Sequence, residues 1–210
     1  TDTEVFKGDR VVADGVERSL GDVTPTGNAD GANNTSTTDS VPTMTSNTSP
    51  SGYIASASGE EGTNYAAYKA FGNDGTSSYW SPGASTTTGW IDFKFNEAKV
   101  INKYTLYSVP SVPERMPKNF TIEGSNTGAF SGEEVVLDTN VGIVYTEGTA
   151  QTFTFINSTG YLHYRLVATL INGGSNLSIG EIEYIEEPNP VSYSADFNTP
   201  LASIPTSVYR

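Results

Sequence analysis

The stretch Gly72–Ser78, GNDGTSS, sets one acid, Asp74, among amide and hydroxyl side chains and two glycines. Such a loop suits a tight turn: Gly and Asn tolerate left-handed backbone, and Asp can bond to its own main chain. It also suits a hard cation, which takes oxygen ligands. It does not suit a phosphate, because no Lys, Arg or His follows Lys69 before Trp80. Elsewhere the chemistry is sparse. The chain has no Cys and one His, His163, which excludes disulfides, thiolate metal sites and a multi-histidine centre within one chain. A Ser-His-Asp arrangement would have to use His163, which lies on an alternating stretch with Arg165 and reads as a structural or surface residue. The pairs Glu133–Glu134 and Glu186–Glu187 are adjacent in sequence, so their side chains point apart. Glycosidic cleavage needs two acids facing one substrate. No nucleophile–base or acid–base constellation emerges, and the chain is expected not to be an enzyme.

The balance of charge narrows the partners. The formal net charge is −13 at pH 7 over 210 residues. A surface of that sign repels nucleic acid and anionic membrane, so neither is expected as a partner. No apolar run reaches membrane-spanning length, and membrane insertion is not expected. The opening residues lack the basic-then-apolar order of a signal peptide.

The elements that position these residues follow from composition and period. Residues 1–52 read as an N-terminal arm and polar linker. TEVFKGDRVVADGVERSL, within 3–20, could pair as a short strand or two. From Asp22 to Ser51 the larger apolar side chains are Val23, Val41 and Met44, too few to offset ordering entropy in a segment standing alone. Residues 53–187 alternate apolar and polar side chains in short runs, the period of strands. Ile91, Phe93 and Phe95 share one face of GWIDFKF, with Asp92 and Lys94 on the other. Phe120 and Ile122, Phe153 and Phe155, Tyr164 and Leu166, and Ile182 and Tyr184 repeat the pattern. A helix of one or two turns is expected at NYAAYKAF, with Asn64 as its N-cap. The reading is an all-β antiparallel jelly-roll sandwich of about eight strands, because short strands with frequent turns favour sandwiches and barrels. Residues 188–210 form a C-terminal tail with Tyr193, Phe197, Leu201, Ile204 and Tyr209, interrupted by Pro200 and Pro205. Prolines there argue against a continuous helix or a central strand.

The order YIASAS, YAAYKAFGNDGTSSYW, GWIDFKF, VINKYTLYS, RMPKNFTIEGSN, YLHYRLV and IGEIEYI resembles the discoidin, or coagulation-factor C-type, domain. That family shares a galactose-binding-like jelly roll with many carbohydrate-binding modules. PKNFTIEGSN and the terminal GEIE are the most specific blocks.

The resemblance implies a possible structural calcium ion, held by loop carbonyls with Asp74, Thr76 or Ser78, and Glu181 as oxygen donors. The chain departs from the family pattern, which has Asp where Gly72 stands. The resemblance also implies that Trp80 and Trp90 pack in the core. It further implies a shallow glycan site on the loops SPGASTTTG, VPSVPERMPK and NGGSNLS. Glu114, Arg115, Asn172 and Asn176 would supply polar contacts there, with Tyr65, Tyr79 and Leu177 as platform. Such domains are common in bacteriophage tail fibres and head appendages. The expected setting is therefore a virion surface appendage that meets a cell-surface glycan, with the arm and tail contacting virion or self subunits in a homo-oligomer. A purely structural virion protein, or a module at an extracellular or cell surface, is the alternative.

Overall fold

The structure, a computed structural model, describes residues 38–74 and 78–187, and the backbone of 10–13 and 16–19. The tail from 188 on, the arm before 38 apart from that backbone, and Thr76 lie outside the described residues. The chain divides into two compact units, 1–35 with 190–210, and 36–189. In the first, β1 (Arg10–Ala13) and β2 (Val16–Ser19) pair antiparallel, with Arg10 opposite Ser19.

The second unit is the sandwich. Its strands are β3 (Ile54–Ala57), β4 (Gly89–Lys99), β5 (Lys103–Tyr107), β6 (Pro117–Ser125), β7 (Val135–Asn140), β8 (Ala150–Thr154), β9 (Tyr161–Ile171) and β10 (Glu181–Ile185). They form a five-stranded sheet in the order β3-β4-β9-β6-β7 and a three-stranded sheet in the order β10-β5-β8. Every pairing is antiparallel. The expected all-β jelly-roll sandwich is thus the observed architecture.

The core follows the strand period. Ile91, Phe93 and Phe95 of β4 are fully buried, as are Tyr164 and Leu166 of β9 and Ile182 and Tyr184 of β10. Side chains alternate across a pleated strand, so every second residue of each strand meets the opposite sheet. The ring centroids of Phe93 lie 4.8 Å from Phe71 and 4.9 Å from Phe95, and Tyr104 stacks on Phe153 at 4.9 Å. Aromatic pairs at such separations add to the stabilisation from area burial alone.

Three sequence expectations change. Asn64 is not an N-cap. The segment forms two 3₁₀ turns, Thr63–Tyr65 and Ala67–Phe71, split by an extended Ala66 at φ −64°, ψ 157°, and neither turn has a side-chain cap. Trp80 is fully buried and its Nε1 donates to Gly59 O at 2.9 Å. Trp90, in contrast, sits half-buried on the outer face of β4. It precedes Ile91 in the strand, so period two puts it on the opposite face, out of the core.

The packed unit also begins ahead of Tyr53. Val41 and Met44 are 2% and 3% exposed and belong to the sandwich core. Ser40 N donates to Tyr184 O at 2.7 Å, and Tyr184 N donates to Asp39 Oδ1 at 2.9 Å. The segment has no core of its own. It satisfies the open edge of β10 and borrows the core beneath it.

Candidate functional site

Three loops meet where β5 and β9 end and β4, β6 and β10 begin. The backbone ties them together. Gly174 N donates to Glu114 O at 3.0 Å, Ser178 N to Arg115 O at 3.0 Å, and Leu177 N to Thr86 O at 2.7 Å. Arg115 ends the 3₁₀ turn Pro113–Arg115, in which proline presets φ. A Cβ on Gly174 would lie 2.8 Å from Arg115 Cγ, so the glycine lets the 172–178 loop close on the arginine.

The side chains expected at a glycan site divide here. Arg115 is half-buried and makes no ion pair among the described residues. Its charge reaches Tyr79: partial burial and the Tyr65 hydroxyl push the Tyr79 phenol up, while Arg115 pulls it down. The Tyr65 and Tyr79 rings lie 4.8 Å apart at a 39° tilt. Arginine and the tyrosine pair therefore share one patch. Glu114 is exposed on the same turn. Asn172 donates its amide to Met116 O at 3.2 Å, which anchors the loop.

Two residues point inward instead. Asn176 is 7% exposed, donates to Ser81 Oγ at 3.2 Å and accepts from Ser175 Oγ at 3.1 Å. Leu177 is fully buried and offers no platform. The residue not anticipated is Glu61, whose charge also acts on Tyr79 and whose Oε2 accepts from Ser81 Oγ at 3.3 Å. Nothing in the local pattern of GEEGTNY marks it. Only the fold brings it beside Ser81.

A second cluster surrounds Glu181. A cleft of about 450 Å³ is lined by Thr38, Asp39, Asn73, Tyr107, Glu181 and Glu183. Glu181 is 1% exposed, and among the described residues neither carboxylate oxygen has a donor at hydrogen-bond length. The amides of Asn73 and Asp74 face it and offset part of the cost, yet burial, Asp74 and Asp39 push its carboxyl up to about 8. Burial likewise pushes Asp39 up to about 7, and its Oδ2 is buried without a partner among the described residues. The Asp74 carboxylate accepts from Ser78 Oγ at 2.8 Å.

Unpaired buried carboxylate oxygens are costly unless a cation or a proton meets them. The donor chemistry fits the calcium ion implied by the sequence resemblance. No three acidic or histidine side chains among the described residues form a ready cage. A shell of roughly six to eight oxygens would therefore draw on carbonyls or water. If calcium binds in this cleft, Glu181 is the described residue from the expected set whose carboxylate would face it, since Asp74 does not line the cleft and its carboxylate is engaged by Ser78 Oγ.

The outer face of the five-stranded sheet carries a third cluster. His163 Nδ1 lies 2.9 Å from Asp92 Oδ2, and the Arg165 guanidinium sits 3.9 Å from the Trp90 ring centroid and 3.4 Å from that of Phe130. A Cβ on Gly128 would come within 2.7 Å of His163 Nε2, so that loop closes over the far side of the ring. His163 thus packs between Asp92 and the Gly128 loop, with its side chain 13% exposed.

The F5/8 type C domain model matches residues 54–181. The chain belongs to the F5/8 type C domain family. The matched span runs from β3 into the first residue of β10 and ends on Glu181.

Similar folds occur among solved carbohydrate-binding modules. CpGH89CBM32-5 from Clostridium perfringens, in complex with GalNAc-β-1,3-galactose, is 18% identical with a TM-score of 0.54, covering 64% of this chain and 96% of that one. The family 32 module of C. perfringens NanJ, in complex with galactose, is 18% identical at 0.53, covering 65% and 95%. The CBM62 of Clostridium thermocellum Xyl5A is 20% identical at 0.52, covering 70% and 98%. At these identities the likeness concerns the fold. No curated protein sequence matches the chain.

Proposed function

We propose that this F5/8 type C domain is a non-catalytic glycan-binding module whose site is the loop end around Arg115. The observation that carries the reading is an arginine that makes no ion pair among the described residues, beside the tilted Tyr65–Tyr79 pair. Arginine offers up to five donors to hydroxyl or carboxylate oxygens. An aromatic pair supplies the apolar platform that a shallow site needs. Glu114 and Asn172 border the patch, and Asn176 supports it from beneath through Ser81. The ligands named with similar folds, GalNAc-β-1,3-galactose and galactose, make galacto-configured sugars the first probes.

The test is a glycan array with the chain presented as a multimer, because avidity reveals weak single sites. Binding by the wild type that falls at least tenfold in Arg115→Ala supports the site. Equal binding by the two proteins moves the site elsewhere. Absence of binding by the folded wild type overturns the glycan reading and leaves a structural module.

The proposal places the module on a virion surface appendage. What supports that setting is the sequence resemblance and the polar and aromatic segments flanking the sandwich. Labelled antibody on intact particles of the source is its test.

A further inference from the structure

The cleft at Glu181 holds an acid that the family motif does not include. We propose that Asp39 is a calcium ligand facing the same ion as Glu181, so that the ion clamps the segment ahead of the sandwich onto its last strand. The proposal rests on reading Glu181 as an ion-facing group and is independent of the glycan site.

Three observations carry it. The first is a pair of buried acids: among the described residues neither Glu181 oxygen nor Asp39 Oδ2 has a partner at hydrogen-bond length, the Asn73 and Asp74 amides only facing Glu181, and both acids line one cleft. Among the described residues no Lys, Arg or His lines that cleft, so none of them supplies a side-chain cation to pair with these oxygens. A buried charge without a partner is strongly destabilising, whereas a hard cation between oxygen donors removes the penalty.

The second is that Asp39 is already positioned by its other oxygen. Oδ1 accepts from Tyr184 N at 2.9 Å and from Val41 N at 3.0 Å. The two bonds fix the carboxylate plane and leave Oδ2 to be met by something else. The third is that the loop before Ser78 is tied to this segment. Asn73 Nδ2 donates to Val41 O and to Thr43 Oγ1, each at 3.3 Å. Asn73 also lines the cleft. Segment, loop and strand thus converge on one acidic space.

Calcium suits the cleft better than magnesium. It accepts irregular shells with carbonyl and water oxygens, whereas magnesium demands near-ideal octahedral geometry and gives up water reluctantly.

The experiment titrates calcium chloride into the chelator-treated full chain by calorimetry, with melting curves recorded for the metal-free proteins. Three proteins are compared: wild type, Asp39→Asn and Glu183→Gln. Asn keeps an oxygen to accept from Tyr184 and Val41, so Asp39→Asn preserves those fold contacts and removes the second carboxylate oxygen together with its charge. Glu183 lines the cleft but its Oε1 already accepts from the Tyr107 hydroxyl at 3.1 Å. Glu183→Gln therefore measures the effect of one charge without a ligand.

The expected result is one calcium per wild-type chain and at least tenfold weaker binding by Asp39→Asn. Glu183→Gln should weaken binding less than threefold. Metal-free Asp39→Asn should melt no lower than metal-free wild type, because an orphaned charge has been removed. Equal losses in the two variants, or unchanged affinity in Asp39→Asn, would show that Asp39 is not a ligand. A lower metal-free melting temperature with unchanged affinity would assign it a purely structural role. A wild type that binds no calcium overturns the site altogether.

Discussion

Met44→Ala tests whether residues 38–44 belong to the domain or lead up to it. Met44 is 3% exposed within the sandwich core, and its backbone N–H donates to Phe71 O at 2.9 Å. The substitution keeps that backbone bond and removes three heavy atoms of side chain. At ~0.8 kcal/mol for each methylene-sized group, the lost transfer energy is ~2.4 kcal/mol. The unfilled cavity adds to this, so the total falls in the range of about 2–5 kcal/mol known for such truncations. For a domain of this size each kcal/mol lowers the melting temperature by roughly 2–4 °C. Met44→Ala should therefore melt at least ~5 °C below wild type, and urea unfolding should show the same loss in midpoint with an unchanged slope. Val41→Ala, which removes two methyl groups from a residue 2% exposed, should cost less by the same arithmetic. A linker residue would behave differently, since substitutions on exposed chain stay within about 0.5 kcal/mol. A Met44→Ala protein that melts with wild type would refute the packing argument and return the domain boundary to Tyr53.

Three further outcomes are expected. Tyr104→Phe removes the hydroxyl that donates to Asp138 Oδ2 at 2.7 Å and accepts from Asn140 Nδ2 at 2.8 Å. It should cost about 1–3 kcal/mol in urea unfolding, the price of leaving such groups short of a partner. Gly128→Ala places a Cβ 2.6 Å from a His163 ring atom at φ 73°. The ring is held by Asp92, so the variant should lose roughly 1–3 kcal/mol from backbone strain and shift the His163 resonances in an NMR spectrum. Burial pushes the Tyr164 phenol up to about 12 and raises Tyr104, Tyr145 and Tyr184 as well. A folded value above the unfolded one favours the protonated form, so stability is full below pH 10 and declines as pH rises through about 12. Tyrosinate absorbance should then appear together with unfolding, and ionisation of these tyrosines in the folded protein at pH 11 would contradict their burial.

The sequence by itself determined the class of fold and much of the core. Ile91, Phe93 and Phe95 were legible because period two is a local property: alternation along one strand fixes which face is apolar before any partner is chosen. The absence of Cys, the single His and the acidic balance restricted the chemistry in the same direct way. Arg115 and the Tyr65–Tyr79 pair could be named as loop residues of suitable type, and Glu181 through its motif. What only the tertiary structure decided was which of these meet. Asp92 lies on the polar face of its strand, yet it is 3% exposed because the β4–β9 register sets it beside His163. Asn176 and Leu177 belong to a glycine-rich loop but turn inward, since that loop closes on Ser81 and Thr86. Val41, Met44 and Asp39 stand in a stretch whose composition cannot support a core. They are ordered by an open strand edge at Tyr184, far along the chain. Local pattern records what each segment can bury. Which edge or cleft is open to receive it depends on strand pairing between distant residues, and no window of sequence contains that pairing.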